Sequence, residues 1–276
     1  DRRMPQSTFP SPLQPRINAS RLRFGSLRSV MALVLREMAT THGKSPGGYI
    51  WAVLEPVAAI ALMTMIFSVG FRAPSIGINF PIFYATGVLP FSLFMDVSSK
   101  IAASLMFSKA LLAYPKVTFV DAIIGRLIVC VMTQLMVNYV VFVGILATFE
   151  TRTGPDLPVI ATSYAMAIVL GLGVGTLNCF LMTTFPVWQR IWSVVTRPLF
   201  IVSCVFFVYD TIPQPYRDYL WYNPLVHVVG MMRHGFYPSY DAPYVSAIYV
   251  FAVGLGLMVI GLVFLRHYHR DLLNAG

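Results

Sequence analysis

The chain has 276 residues, of which 57% are apolar and only 11% charged, with a net charge of +9. A soluble domain of this length would carry roughly 25% charged residues over a single core, so a water-exposed fold is excluded. Few charges, long apolar runs and a strongly positive mean hydropathy mean that lipid is the solvent for most of the chain.

From the amino end, residues 1–24 read as a flexible cytoplasmic tail, basic and proline-rich (Pro5, Pro10, Pro12, Pro15), with no apolar core of a cleavable signal. An amphipathic helix follows over 25–45. At 100° per residue, Leu27, Val30, Met31, Val34, Leu35 and Met38 share one face. Arg28, Ser29, Arg36, Glu37 and Thr40 take the other, and Leu33 is the one large apolar exception. This predicts a helix lying in the membrane interface, with Arg21, Arg23, Arg28, Arg36 and Lys44 near anionic headgroups. An ordinary soluble amphipathic helix is the plainer alternative. Gly43, Lys44 and Ser45 look like the end of a phosphate loop, but Met38 stands where its first glycine belongs and no strand precedes it. Pro46, Gly47 and Gly48 then break the helix so that the chain can turn into the bilayer.

Six apolar stretches approach the ~20 residues that cross ~30 Å of hydrocarbon: 50–71, 80–102, 122–149, 159–185, 191–209 and 244–265. Basic residues cluster before the first (Arg2 to Lys44), between the second and third (Lys100, Lys109, Lys116), around the fourth connection (Arg190, Arg197) and after the last (Arg266, Arg270). The opposite connections hold only Arg72, Arg152, Arg217 and Arg233. Positive residues stay inside, so both termini are expected in the cytoplasm, and the net charge is a topology signal rather than a mark of nucleic-acid binding. Between the fifth and sixth stretches, Asn223 and Pro224 make a helix start. Leu225, Val229, Met232 and Phe236 continue it at helical spacing. Residues 210–243 are too few to cross twice, so a re-entrant external hairpin is expected.

Four charges share one depth, about a turn and a half from the cytoplasmic end: Glu55, Asp96, Arg126 and Arg197. Facing lipid, each would cost about 2.5–3.5 kcal/mol, so a paired charged layer is predicted, with Glu55 seeking Arg126 or Arg197. The alternative is that several snorkel to the interface. Tyr49, Trp51, Trp192, Phe200, Phe206, Phe207 and Tyr209 could line a conduit, or form an interfacial belt. Cys130, Cys179 and Cys204 sit in separate apolar stretches and read as buried small residues. Gly171 and Gly175 have the spacing of a membrane packing motif. No histidine or cysteine spacing points to a metal.

Three stretches, LREMATTHGKSPGGYIWAVLEP (35–56), AYPKVTFVDAIIGR (113–126) and YNPLVHVVGMMRHGFYPSY (222–240), resemble the transmembrane subunit of capsular polysaccharide exporters, within the type-2 ABC exporter family. The resemblance runs over nearly the whole chain in the same order. It implies an all-α membrane domain over 25–276 with six transmembrane helices, the interface helix, a coupling helix and the re-entrant periplasmic hairpin. The coupling helix would lie over 104–114, docking an ATPase through Leu105, Met106, Phe107, Lys109, Leu111, Leu112 and Tyr114. An undocked loop is the alternative there. The resemblance further implies a bacterial inner-membrane homodimer that exports a lipid-linked acidic polymer. Two separate ABC ATPase subunits would bind the ATP and magnesium, so that this chain needs no cofactor. A periplasmic adaptor and an outer-membrane channel would complete the path. Other readings remain beside it: a sibling exporter of O-antigen, teichoic acid or a drug, a membrane-embedded transferase on lipid-linked sugars, and an ion-coupled carrier. The scattered acids, without an Asp-x-Asp pair, and the nearly uncharged mid-depth of the spans speak against the last two.

Overall fold

A computed structural model describes residues 25–42, 48–71, 73–107 and 119–274. Among them the chain is helical, without strands. The helices are α1 (Gly25–His42), α2 (Gly48–Gly70), α3 (Phe80–Ala102), α4 (Phe119–Thr148), α5 (Leu157–Thr184), α6 (Pro186–Val202), α7 (Tyr216–Trp221), α8 (Pro224–Phe236) and α9 (Ala247–Asn274). Five are long and apolar enough to cross a membrane: α2, α3, α4, α5 and α9.

The middle of the bundle is α3 and α5. Of the apolar window of α3, 72% is buried, against 6% of α2, so α3 is packed all round while α2 stands at the edge. Glycines let the central helices touch. A Cβ on Gly171 would meet Val97 of α3 at 3.0 Å, one on Gly175 would meet Ser98 O and Ile101 at 2.8 Å, and one on Gly173 would overlap the backbone of Gly254 in α9. Without a hydrophobic drive between helices in lipid, such close approach supplies the dispersion contacts that hold them.

Local chemistry sets the helix ends. The Asp156 carboxylate accepts from Val159 N ahead of α5, and the Asn223 side chain accepts from Leu225 N at 3.1 Å, with Pro224 at the first position of α8. The expected crossing over 191–209 takes a different form. Helix α6 has 17 residues and stops at Val202. There the Ser203 hydroxyl donates to Leu199 O at 2.6 Å, and Cys204 turns into the left-handed region at φ 59°. The reason lies in α8. Arg233 donates to Val205 O and Phe207 O, so backbone carbonyls that leave the helical ladder find partners inside the protein. Phe206, Phe207 and Tyr209 therefore lie beyond α6, in this turn and the 3-10 turn that follows.

Candidate functional site

Two regions concentrate polar groups inside this apolar scaffold. The first is at the end of the bundle where α2 and α4 begin and α3 finishes. Arg126 of α4 does not reach Glu55: its Nε donates to Glu37 Oε1 of α1 at 3.1 Å, both side chains being nearly buried (12% and 7% exposed). Helix α1 comes this close because Gly125 leaves room for Leu33, to which an added Cβ would stand at 3.1 Å. Leu33, the exception to the amphipathic pattern, is thus the residue seated on α4. Phe107, just after α3, lies under two guanidinium groups, Arg126 at 4.3 Å and Arg36 at 5.3 Å from its ring centre.

Glu55 and Asp96 come together around a cavity of about 340 Å3 bounded by α2, α3 and α4, with Phe200 of α6 on its wall. Gln134 of α4 donates to Asp96 Oδ2, Lys100 stands one turn along α3, and Glu55 is exposed at the cavity's edge. Arg197 is exposed on α6 and forms no ion pair among the described residues. The expected pairing of Glu55 with Arg126 or Arg197 is therefore replaced by Glu37 with Arg126. The nearly buried Glu37 meets the guanidinium from α1, whereas Glu55 reaches out into a polar cavity and Arg197 out of the protein altogether.

The second region joins the turn after α6 to α8 and the start of α9. Arg233 is 1% exposed. Its Nη1 donates to Phe207 O at 2.7 Å, its Nη2 to Val205 O at 2.8 Å, and its guanidinium sits 4.4 Å over the Phe83 ring of α3. Burial lowers its pKa from the usual arginine value, and the charge is met by carbonyl dipoles and a ring face. His227, fully buried, accepts from Ser246 N at Nδ1 (3.2 Å) and donates from Nε2 to Trp221 O (2.8 Å), an arrangement that only the neutral ring satisfies. Burial lowers its pKa accordingly. Tyr240 donates to Asp210 Oδ2 at 3.1 Å, and Tyr209 stacks on Tyr244 at 4.0 Å.

The expected conduit aromatics divide between these regions. Phe200 meets Phe91 at 5.0 Å and Phe206 at 4.9 Å, each edge to face, and Phe206 stacks on Phe67 of α2. Tyr209 is buried in the second region, Phe207 gives its carbonyl to Arg233, Trp192 is half-buried on α6, and Trp51 is exposed on α2. Tyr49 lies on α2 and Arg28 on α1. Leu105 is buried while Met106 and Phe107 are exposed. Arg21, Arg23, Lys44, Lys109, Leu111, Leu112 and Tyr114 lie outside the described residues. Reading the sequence alone missed Glu37, Gln134 and Arg233 as interior groups. Arg233 carries a signal after all: it falls on the apolar face of α8, four residues after Val229 and three before Phe236.

Residues 28–237 match the ABC-2 type transporter family. Polysialic acid transport protein KpsM of Escherichia coli is 30% identical over 90% of this chain and 96% of its own length. Capsule polysaccharide export inner-membrane protein CtrC of Neisseria meningitidis serogroup A is 22% identical over 88% of this chain and 92% of its own. Capsule polysaccharide export inner-membrane protein BexB of Haemophilus influenzae is 23% identical over the same shares, 88% and 92%. With the family match spanning most of its length and near end-to-end similarity to these relatives, the chain belongs to the ABC-2 type transporter family.

Proposed function

We propose that the chain is the membrane subunit of an ATP-driven exporter that moves a lipid-linked acidic capsular polysaccharide across a bacterial inner membrane. The observation that carries this is the 30% identity to the polysialic acid transport protein over 96% of that protein's length. The capsule export inner-membrane proteins point to the same cargo class and the same membrane.

In this reading α6 is a short fifth crossing, both termini are cytoplasmic, and α7 with α8 dips into the outer leaflet. Helix α1 lies in the inner interface: Met31, Leu35 and Met38 are exposed at i, i+4 and i+7 while Val30 and Glu37 face the protein. A second copy of the chain pairs with this one, and two ABC ATPase subunits, which bind ATP and magnesium, dock on residues 104–114. A periplasmic adaptor and an outer-membrane channel take the polymer onward.

Expression of the chain with its ATPase in an encapsulated Gram-negative host lacking its own permease subunit tests the reading. Surface polymer should return, and tagged chain should retain the ATPase. Met106→Asp, at an exposed site, should reduce that retention at least severalfold. Polymer that stays inside the cell with the unchanged chain would sink the export reading, and undiminished retention by Met106→Asp would sink the docking assignment.

A further inference from the structure

The cavity between α2, α3 and α4 has a composition that restricts what it can hold. Its polar side offers two carboxylates, Glu55 and Asp96, an ammonium, Lys100, and an amide, Gln134; its apolar side offers the rings of Phe91 and Phe200. A lipid tail would set hydrocarbon against the Glu55 carboxylate, the Lys100 ammonium and the Asp96–Gln134 pair and offer none of them a hydrogen bond, which buried polar groups do not tolerate. A phosphate would meet two carboxylates and one ammonium, a net repulsion. A ligand that suits every wall has several hydroxyl donors on its edge and an apolar face, as a sugar ring does.

Size and access agree with that chemistry. The volume of about 340 Å3 lies at the low end of ligand clefts, which run from roughly 300 to 1,000 Å3. It suits a ring or two rather than a length of polymer. Glu55 lines the cavity and is exposed, so the mouth is open on the α2 side and a chain can run past while one ring turns in. Gln134 holds the Asp96 carboxylate through Oδ2, and Phe91 holds Phe200 edge to face at 5.0 Å, so both walls are fixed in advance.

We propose that this cavity is a subsite for one sugar ring of the transported polymer, with ring hydroxyls donating to Glu55 and Asp96 and the ring's apolar face against Phe200. Where the sugar is acidic, its carboxylate lies toward Lys100. The assignment rests on the polysaccharide-export reading. It also gives the acids a purpose: beside an acidic polymer they bind hydroxyls while repelling carboxylates, so each ring is held and released as the chain advances.

Three variants of the full chain, expressed with the ATPase, test it. Glu55→Gln alters an exposed side chain at the cavity mouth; Phe200→Leu removes the ring and keeps most of the bulk; Ser92→Leu, on a half-buried lining residue, fills the cavity. Export per ATP hydrolysed should fall about tenfold with Ser92→Leu and Phe200→Leu and about threefold with Glu55→Gln, with membrane levels and ATPase retention as in the unchanged chain. In nanodiscs, saturation-transfer NMR with a short sialic acid oligomer as probe should give ring-proton signals that Ser92→Leu removes. Export within twofold of the unchanged chain for all three variants, or an oligomer signal that survives Ser92→Leu, overturns the subsite while leaving the export function standing. If Ser92→Leu fails to reach the membrane, Glu55→Gln decides. Failure of the unchanged chain to export overturns the functional reading and this assignment together.

Discussion

Arg233 is the residue on which the turn after α6 depends. A buried cation without a carboxylate partner is expensive, and here two carbonyls and the Phe83 face replace the water it gives up. The dependence runs both ways, because Val205 O and Phe207 O have left the helical ladder and need a donor. Arg233→Met would leave two buried carbonyls unpaired at about 1–3 kcal/mol each. Thermal unfolding in detergent should show a clear fall for Arg233→Met and a smaller one for Arg233→Lys, whose ammonium lacks the fork that reaches both carbonyls. A methionine variant as stable as the unchanged chain would remove Arg233 from this role. In the sequence the residue stands as one of four bases on the less basic side and, from its place on the apolar face of α8, as an interior group, but not as the partner of this turn. Its partners are backbone atoms of a turn 26 and 28 positions away, which leave no side-chain signature to read.

Between elements, the informative joint is α1 on α4. A membrane-interface helix held only by lipid would keep its acid in water, yet Glu37 is buried against Arg126 and Leu33 is seated on Gly125. Breaking such a pair by removing one member costs about 3–5 kcal/mol. Glu37→Arg and Arg126→Glu should therefore each lower membrane levels of the chain, and the double reversal should recover part of the loss. A double reversal no better than either single one would show that the pair does not hold α1. Because Phe107 lies under Arg36 and Arg126, the same joint connects α1 to the start of the proposed ATPase-docking segment. Helix α1 was legible in its 3.6-residue period, and five of the six expected spans in their apolar length, which the structure builds as helices long enough to cross a membrane. The partner of Arg126 was not. Equal depth along separate spans constrains height but not bearing around the bundle, and Glu37, on the polar face of a helix outside the spans, carries no sign of a partner until α1 is set against α4.

The whole molecule presents two unlike outer faces. Along α9 from Ile248 to Phe264 the exposed side chains are apolar, among them Leu255, Val259 and Val263, which suits lipid tails, and only beyond them come the exposed Arg266 and His267. Along α2 and α6 the exposed apolar residues Trp51, Leu54, Val194 and Val195 alternate with exposed Glu55, Arg190 and Arg197. Charges at that height belong against protein or water. In the proposed homodimer this face, with only 6% of the α2 window buried, is therefore expected to meet the second copy and enclose the polymer path, while α9 stays outside. Single cysteines placed in a background lacking Cys130, Cys179 and Cys204 distinguish the faces. Val194→Cys on α6 should form an oxidative cross-link between two copies in native membranes, and Val259→Cys on α9 should not. The reverse pattern would turn the dimer around, set the charged cavity toward lipid, and leave Glu55 and Arg197 without the polar surroundings that their exposure at this depth requires.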